Sequence, residues 1–270
     1  MKFTKAVVTC LLLIFTYSVG LCQDLKVSAP AFDYKLIAHR GGVVDSLTAE
    51  NSLDALKKAV KRGYSMVEID LRLTKDGVLI TNHDRNLKRS FGVDADVSTL
   101  TWNQMSNLKG AMGNKILRFE DVLNYCRGKL QVMIDNKIEG NDTVLFTKVI
   151  DLLKKYNLYD HALMIGTDES TAFFTGKIKL TCTRQQLEEN MLKSNYRSSN
   201  YFLFSDRISK SDFEWAHQHN ILAVGVINSW ALKSGDAMQE AKSQADKLKS
   251  TGLVWFQIDS IYDRLFTAKN

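Results

Sequence analysis

A closed parallel α/β barrel of the (β/α)8 TIM type, with a small insertion after its second strand, is the fold this sequence predicts. Three observations predict it. Eight short β-rich runs alternate with amphipathic helical stretches, which reads as βαβ units on a parallel sheet. The length of 270 residues is ordinary for one such barrel. A single proline and no Ser/Gly-rich tract leave no linker at which to divide it.

The strands are expected at Tyr34–His39, Ser65–Leu71, Leu130–Asn136, Ala162–Gly166, Ile178–Thr183, Tyr201–Ser205, Ile221–Ile227 and Leu253–Asp259. Between them, Ser52–Arg62, Arg118–Cys126, Thr143–Tyr156, Ser211–His219 and Ala237–Leu248 carry apolar residues at three- and four-residue spacing, the helical period. One interval breaks the rhythm. Residues 72–117 are too many for a simple crossover and hold a short strand at Val78–Asn82 and a helical piece near Leu100–Leu108. They read as the insertion, and His83 lies on it.

The N-terminus follows a different logic. Lys2 and Lys5 precede the apolar stretch Ala6–Phe15 and small or uncharged residues up to Cys22, the layout of a secretory signal peptide over residues 1–22. The stretch is short of the ~20 residues that span a bilayer. Leu21 is bulkier than the residue that usually precedes a lipidated cysteine, so cleavage near Cys22 is expected rather than anchoring. The mature barrel, residues 23–270, is then extracytoplasmic. Losing two lysines and no acids takes the net charge from +6 to +4, too mild and too dispersed for nucleic acid. Membrane contact is compatible with this composition but not required. Of the remaining cysteines, Cys126 and Cys182 lack metal-ligand spacing and are expected as buried thiols. Asn141-Asp142-Thr143 is the one glycosylation sequon.

The chemistry concentrates in the first half. Residues two apart on a strand face the same side, so Glu68 and Asp70 point together, as do Asp135 and Lys137. Both pairs fall at the C-terminal ends of their strands, where barrels build active sites. Apolar Met66, Val67, Ile69 and Leu71 around the acids imply a strand buried on both faces, and buried carboxylates are costly unless a cation offsets them. Glu68, Asp70 and Asp135 make an all-oxygen set suited to Ca²⁺ or Mg²⁺ rather than zinc. His39 ends the first strand before Gly41-Gly42, where the backbone can approach a ligand, and Arg40 supplies a fork for phosphate oxygens. With His83-Asp84, two histidines can shuttle protons. Together these parts suit hydrolysis of a phosphate ester. The other histidines read as structural: His161 starts a strand, and His217 and His219 sit on a polar helix.

In order and spacing these segments resemble the glycerophosphodiester phosphodiesterase family. Its strand-end H-R-G, P-E-N-T-like turn, E-x-D-x-x-x-T-K-D-G, H-D near x-L-x-R, and I-E-I-K read here as His39-Arg40-Gly41, Ala49-Glu50-Asn51-Ser52, Glu68-Ile69-Asp70 through Gly77, His83-Asp84 through Arg89, and Ile134-Asp135-Asn136-Lys137. The resemblance implies a small-molecule glycerophosphodiester substrate, hydrolysed to glycerol phosphate and an alcohol at a Ca²⁺ or Mg²⁺ site. It implies His39 and His83 as the acid–base pair, Glu68, Asp70 and Asp135 as cation ligands with Glu50 close by, and Arg40 and Lys137 as neutralisers of phosphate charge.

Two departures stand out. Asp135 replaces the usual glutamate and shortens its reach by one C–C bond, about 1.5 Å. The family's tryptophan near the seventh strand is replaced around Gly225, while Trp255 appears on the neighbouring strand. Two readings stand side by side: Trp255 refills that space as a wall of the substrate pocket, or both changes are ordinary repacking of the core. Two rival functions remain in view. A phospholipase-like barrel acting on intact lipid head groups would want an apolar rim, for which Phe91, Trp102, Met105 and Met112 are candidates. A catalytically inactive barrel would bind glycerol-phosphate polymer without turning it over.

Overall fold

The computed structural model describes residues 33–232 and 235–267. Residues 1–22, where a signal peptide is expected, lie outside them. Eight parallel strands run β1 (Lys35–Ala38), β2 (Met66–Leu73), β5 (Gln131–Asn136), β6 (Leu163–Ile165), β7 (Lys179–Cys182), β8 (Tyr201–Ser205), β9 (Leu222–Ile227) and β10 (Trp255–Ile258). Each pairs with its neighbour, β10 returns to β1, and β1 pairs with β2, so the sheet closes. Helices follow the strands on the outside: α1 (Leu53–Arg62), α4 (Phe119–Cys126), α5 (Thr143–Lys155), α6 (Asp168–Phe174), α7 (Arg184–Met191), α8 (Lys210–Gln218) and α9 (Ala237–Ser250).

Local chemistry sets the helix starts. Ser52 accepts from the Ala55 N–H to begin α1, Asp142 accepts from Val144 and Leu145 to begin α5, and Thr167, Thr183 and Ser209 close capping boxes on α6, α7 and α8. Apolar residues then divide between two layers. Ile37, Met66, Met133, Leu163, Phe202 and Val224 fill the barrel interior, while residues of opposite parity such as Leu36, Val67, Ile134 and Phe256 meet the helices. Cys126 and Cys182 are free and buried, and burial pushes their thiols up to about 12 and about 11. His161 ends a 3-10 turn just before β6, at the end of the barrel away from the acids.

The segment after β2 folds on itself. The Thr74–Gly77 turn is fixed by Thr74 Oγ1 donating to Asp76 and accepting from the Val78 N–H, and by Asp76 accepting from the Trp102 N–H. It returns the chain as β3 (Leu79–Thr81), antiparallel to β2, and β4 (Leu117–Arg118) pairs with β3. Two single-turn helices, α2 (Lys88–Phe91) and α3 (Trp102–Met105), complete it around Ile80, Leu87, Val97, Met105 and Ile116. This small core holds His83 over the mouth.

Trp255 requires a correction. It is the first residue of β10, paired with Val224 and Lys35, and its side chain joins the interior cluster at the N-terminal end of the barrel. Four residues at ~3.3 Å each separate it from the strand end that carries the acids' side of the barrel. Gly225 pairs instead with Phe256, and a Cβ there would meet Phe256, Leu248 and Leu253 in the outer layer. Trp255 and Gly225 thus face opposite sides of the sheet, and Trp255 lines no substrate pocket. Trp255→Ala should cost about 3 kcal/mol of stability in chemical denaturation, as for a large side chain removed from a core. Its ratios of kcat/KM among substrates should match those of the unmutated chain.

Candidate active site

The acids meet through strand register. Glu68 pairs with Met133 and Asp70 with Asp135, so the three carboxylates rise together at the C-terminal ends of β2 and β5. One oxygen from each lies within 4.8 Å of the others. Glu68 and Asp70 are each 1% exposed. Glu68 Oε2 accepts from the Arg40 N–H at 2.7 Å, while its Oε1 is buried with no hydrogen-bond partner. Burial, then the charges of Asp70 and Asp135, push the Glu68 carboxyl well above its ordinary range. A buried oxygen without a donor, in an all-oxygen set that repels itself, fits a hard divalent cation held by Glu68, Asp70 and Asp135. Lys137 reaches into the same cluster, 2.6 Å from Asp135 and 3.3 Å from Asp70. Burial works against its charge, but the two aspartates outweigh it and hold the ammonium above its usual range.

The turn after β1 is shaped for this cluster. Arg40, Gly41 and Gly42 all have positive φ, and Asn51 does too. Arg40 in this region costs about 1 kcal/mol, offset by its N–H bond to Glu68, by the Gly41 N–H bond to the Glu68 carbonyl, and by the Asn51 N–H bond to the Arg40 carbonyl. Gly42 leaves no alternative, because a Cβ there would sit 2.3 Å from the Ala55 oxygen. Asn51 then donates its side-chain N–H to Asp70 at 2.8 Å.

The two histidines are built alike. His39 Nδ1 lies 2.6 Å from Asp259, and its Nε2 lies 4.0 Å from Glu68. A carboxylate only accepts, so Nδ1 carries a hydrogen, and Nε2 faces the acids. Ser229 holds the other Asp259 oxygen through both its N–H and its hydroxyl. Burial raises the Asp259 carboxyl, but the bonds from His39 and Ser229 outweigh it and hold the group below its ordinary range. His83 Nδ1 lies 2.8 Å from Asp84, whose second oxygen is bound by Arg89. Arg89, with His83 adding, holds the Asp84 carboxyl down at about 2. Arg72 donates to the carbonyls of Asn82 and His83, fixing the backbone of that loop.

The structure therefore brings His39, His83, Arg40, Glu68, Asp70, Asp135 and Lys137 to one mouth. Glu50 is there but stands outside the cluster of three carboxylates. Its carboxylate is held between Arg40, at 2.9 Å, and Arg89, which spend both its oxygens away from the cluster. Sequence reasoning missed Asp259 as the partner of His39, although closure of the barrel gives the signal: Ala38 pairs with Ile258, so His39 and Asp259 are next to each other on adjoining strands.

The model of the glycerophosphoryl diester phosphodiesterase family matches residues 39–254. The chain belongs to this family. A lysophospholipase D of Homo sapiens is 34% identical over 139 residues, 46% of this chain and 42% of that protein. The chain thus spans less than half the length of that relative. Among solved structures, a glycerophosphodiester phosphodiesterase of Agrobacterium tumefaciens superposes with a TM-score of 0.69 at 18% identity, over 87% of this chain and all of that one (100%). A phosphodiesterase of Oleispira antarctica, in complex with the product sn-glycerol-3-phosphate, superposes at 0.65 with 16% identity, over 86% of this chain and 96% of that one. These structures share the barrel, matching the closed sheet described above.

Proposed function

We propose that the chain hydrolyses glycerophosphodiesters to glycerol phosphate and an alcohol, with a divalent cation bound by Glu68, Asp70 and Asp135. The observation that carries this reading is the pair of imidazoles flanking one acidic cluster, each with Nδ1 on a carboxylate and Nε2 free. Family membership and the product-bound relative from Oleispira antarctica support the substrate class. The bound cation would neutralise phosphate oxygen charge in the transition state.

His39 is the base. Among the described residues Asp259 is bound by His39 and Ser229 and by no lysine or arginine, so it would offset the charge His39 gains when Nε2 takes the proton of the attacking hydroxyl. His83 is the acid. Asp84 already shares its charge with Arg89, which leaves His83 the better donor to the departing alkoxide as the P–O bond breaks. Arg40, on Glu50, and Lys137, on Asp70 and Asp135, stand at the same mouth and would add positive charge where negative charge grows. We read residues 1–22 as a secretory signal, which would put this reaction outside the cytoplasm. No described helix is long and apolar enough to cross a membrane.

Intact lipid head groups are the weaker reading. Phe91, Trp102 and Met105 turn into the core of the insertion, leaving only Met112 of those four strongly exposed, at 49%. The test is release of glycerol phosphate from glycerophosphocholine, glycerophosphoethanolamine and glycerophosphoglycerol with Ca²⁺, Mg²⁺ or chelator. Cation-dependent turnover of at least one diester is expected. No turnover with either ion by folded protein would refute the reading.

A further inference from the structure

Two cavities adjoin the loop that carries His83, one lined by Asn82 and the other by Arg85. One, of about 210 Å³, lies between the β1–α1 connection and the insertion and includes Glu50, Thr81 and Arg89 among its walls. The other, of about 280 Å³, lies between the insertion and the β5–α5 connection and is markedly positive. Arg72, Lys75, Arg85 and Lys137 line it, against one acid, Glu139.

Two of these cations, Arg72 and Lys75, have no carboxylate partner among the described residues, whereas Arg85 and Lys137 are paired. Arg72 gives its guanidinium hydrogen bonds to the carbonyls of Asn82 and His83 and to no carboxylate. Lys75 is exposed and makes no ion pair among the described residues. Arg85 binds Asp96 at 2.8 Å, but Glu139 stands 3.6 Å away and is 85% exposed, a weak counter-charge. Arg72 and Lys75, converging with the paired Arg85 on one partly enclosed space, leave positive charge that an anion would balance. Lys137 belongs to both this cavity and the acidic cluster, so an anion bound here would sit one side chain away from that cluster.

We infer that this cavity receives a second anionic group, a carboxylate or phosphate, carried on the alcohol half of the diester, and so selects diesters of acidic alcohols. The inference rests on the phosphodiesterase reading above and adds a substrate preference to it. A free phosphate ion would satisfy the same cations, and the experiment separates the two sources.

Glycerophosphoserine and glycerophosphoethanolamine differ by one carboxylate. At low ionic strength the unmutated chain should prefer the serine diester by about tenfold in kcat/KM, the effect of one well-placed charge in a partly shielded site. In Lys75→Gln/Arg85→Gln the ratio should fall to near one, while turnover of the ethanolamine diester stays within about twofold, since neither residue touches the acids or the histidines. Lys75→Gln alone, on an exposed turn, should lose part of the preference and guards against misfolding of the double variant. Equal use of both diesters by the unmutated chain, or a preference that survives the double substitution, would overturn the inference. Inorganic phosphate should erode only the serine diester's advantage. Equal inhibition of both diesters would show that the cavity takes the free ion instead.

A binding arm keeps the two readings apart. In chelator, calorimetric titration should show the serine diester bound more tightly than the ethanolamine diester, through Lys75 and Arg85. Tighter binding with no turnover under any cation would sink the hydrolase reading and leave the cavity's role standing. Turnover of both diesters with equal binding would do the reverse.

Discussion

Turnover of a glycerophosphodiester should fall by about four orders of magnitude in His39→Ala and by two to three in Asp259→Asn. The first change removes the base. The second keeps the size of the side chain but presents His39 Nδ1 with an amide that can donate, so the ring is free to move its hydrogen to Nε2, the atom that must accept a proton. The two effects separate by measurement. KM should change little in Asp259→Asn while kcat falls, and its pH–rate profile should lose the limb that reports the base. Asp259→Glu should recover part of the rate. Wild-type kcat in Asp259→Asn would show that His39 needs no carboxylate and that its role is misassigned.

Glu68→Gln should lower cation-dependent turnover on the order of a thousandfold and abolish the rise in Tm that Ca²⁺ or Mg²⁺ gives the unmutated chain. The pH dependence follows from the direction of the Glu68 shift. Burial and then Asp70 and Asp135 raise its carboxyl above the ordinary value of 4.5. A carboxyl raised in the folded state contributes stability that is full below its unfolded value and is lost as pH climbs through the folded one. In chelator, the unmutated protein should therefore lose Tm as pH rises from about 4.5 towards that raised value, and the Gln variant should lack this slope. Added cation should restore Tm most where Glu68 is ionised. Identical slopes in the two proteins would place the strain elsewhere.

Much of this was legible in the sequence because the signals were local. Alternating apolar strands and caps such as Ser52 and Asp142 are written within a few residues, and Glu68 with Asp70 share a face by parity alone. What escaped was register between distant strands. Trp255 and Gly225 look like an exchange of bulk on neighbouring strands, yet a one-residue offset sends one to the barrel interior and the other to the helices. Glu50 sits in a motif beside Asn51, but its orientation was decided by Arg89, 39 residues away on the insertion. Asn51 does reach the acids, through a left-handed backbone that no periodicity reveals. Asp259 waited at the far end of the chain for the same reason.

That last pairing has a consequence for how the protein is made. His39 is among the first residues of the barrel to leave the ribosome and Asp259 among the last. Until β10 emerges, β1 and β9 have lost their shared neighbour, and the base has no acceptor for its Nδ1 hydrogen. A chain without β10 would lack the Asp259 acceptor for His39 even if β2 and β5 brought the three acids together, so the proposed base would form only with the closing strand.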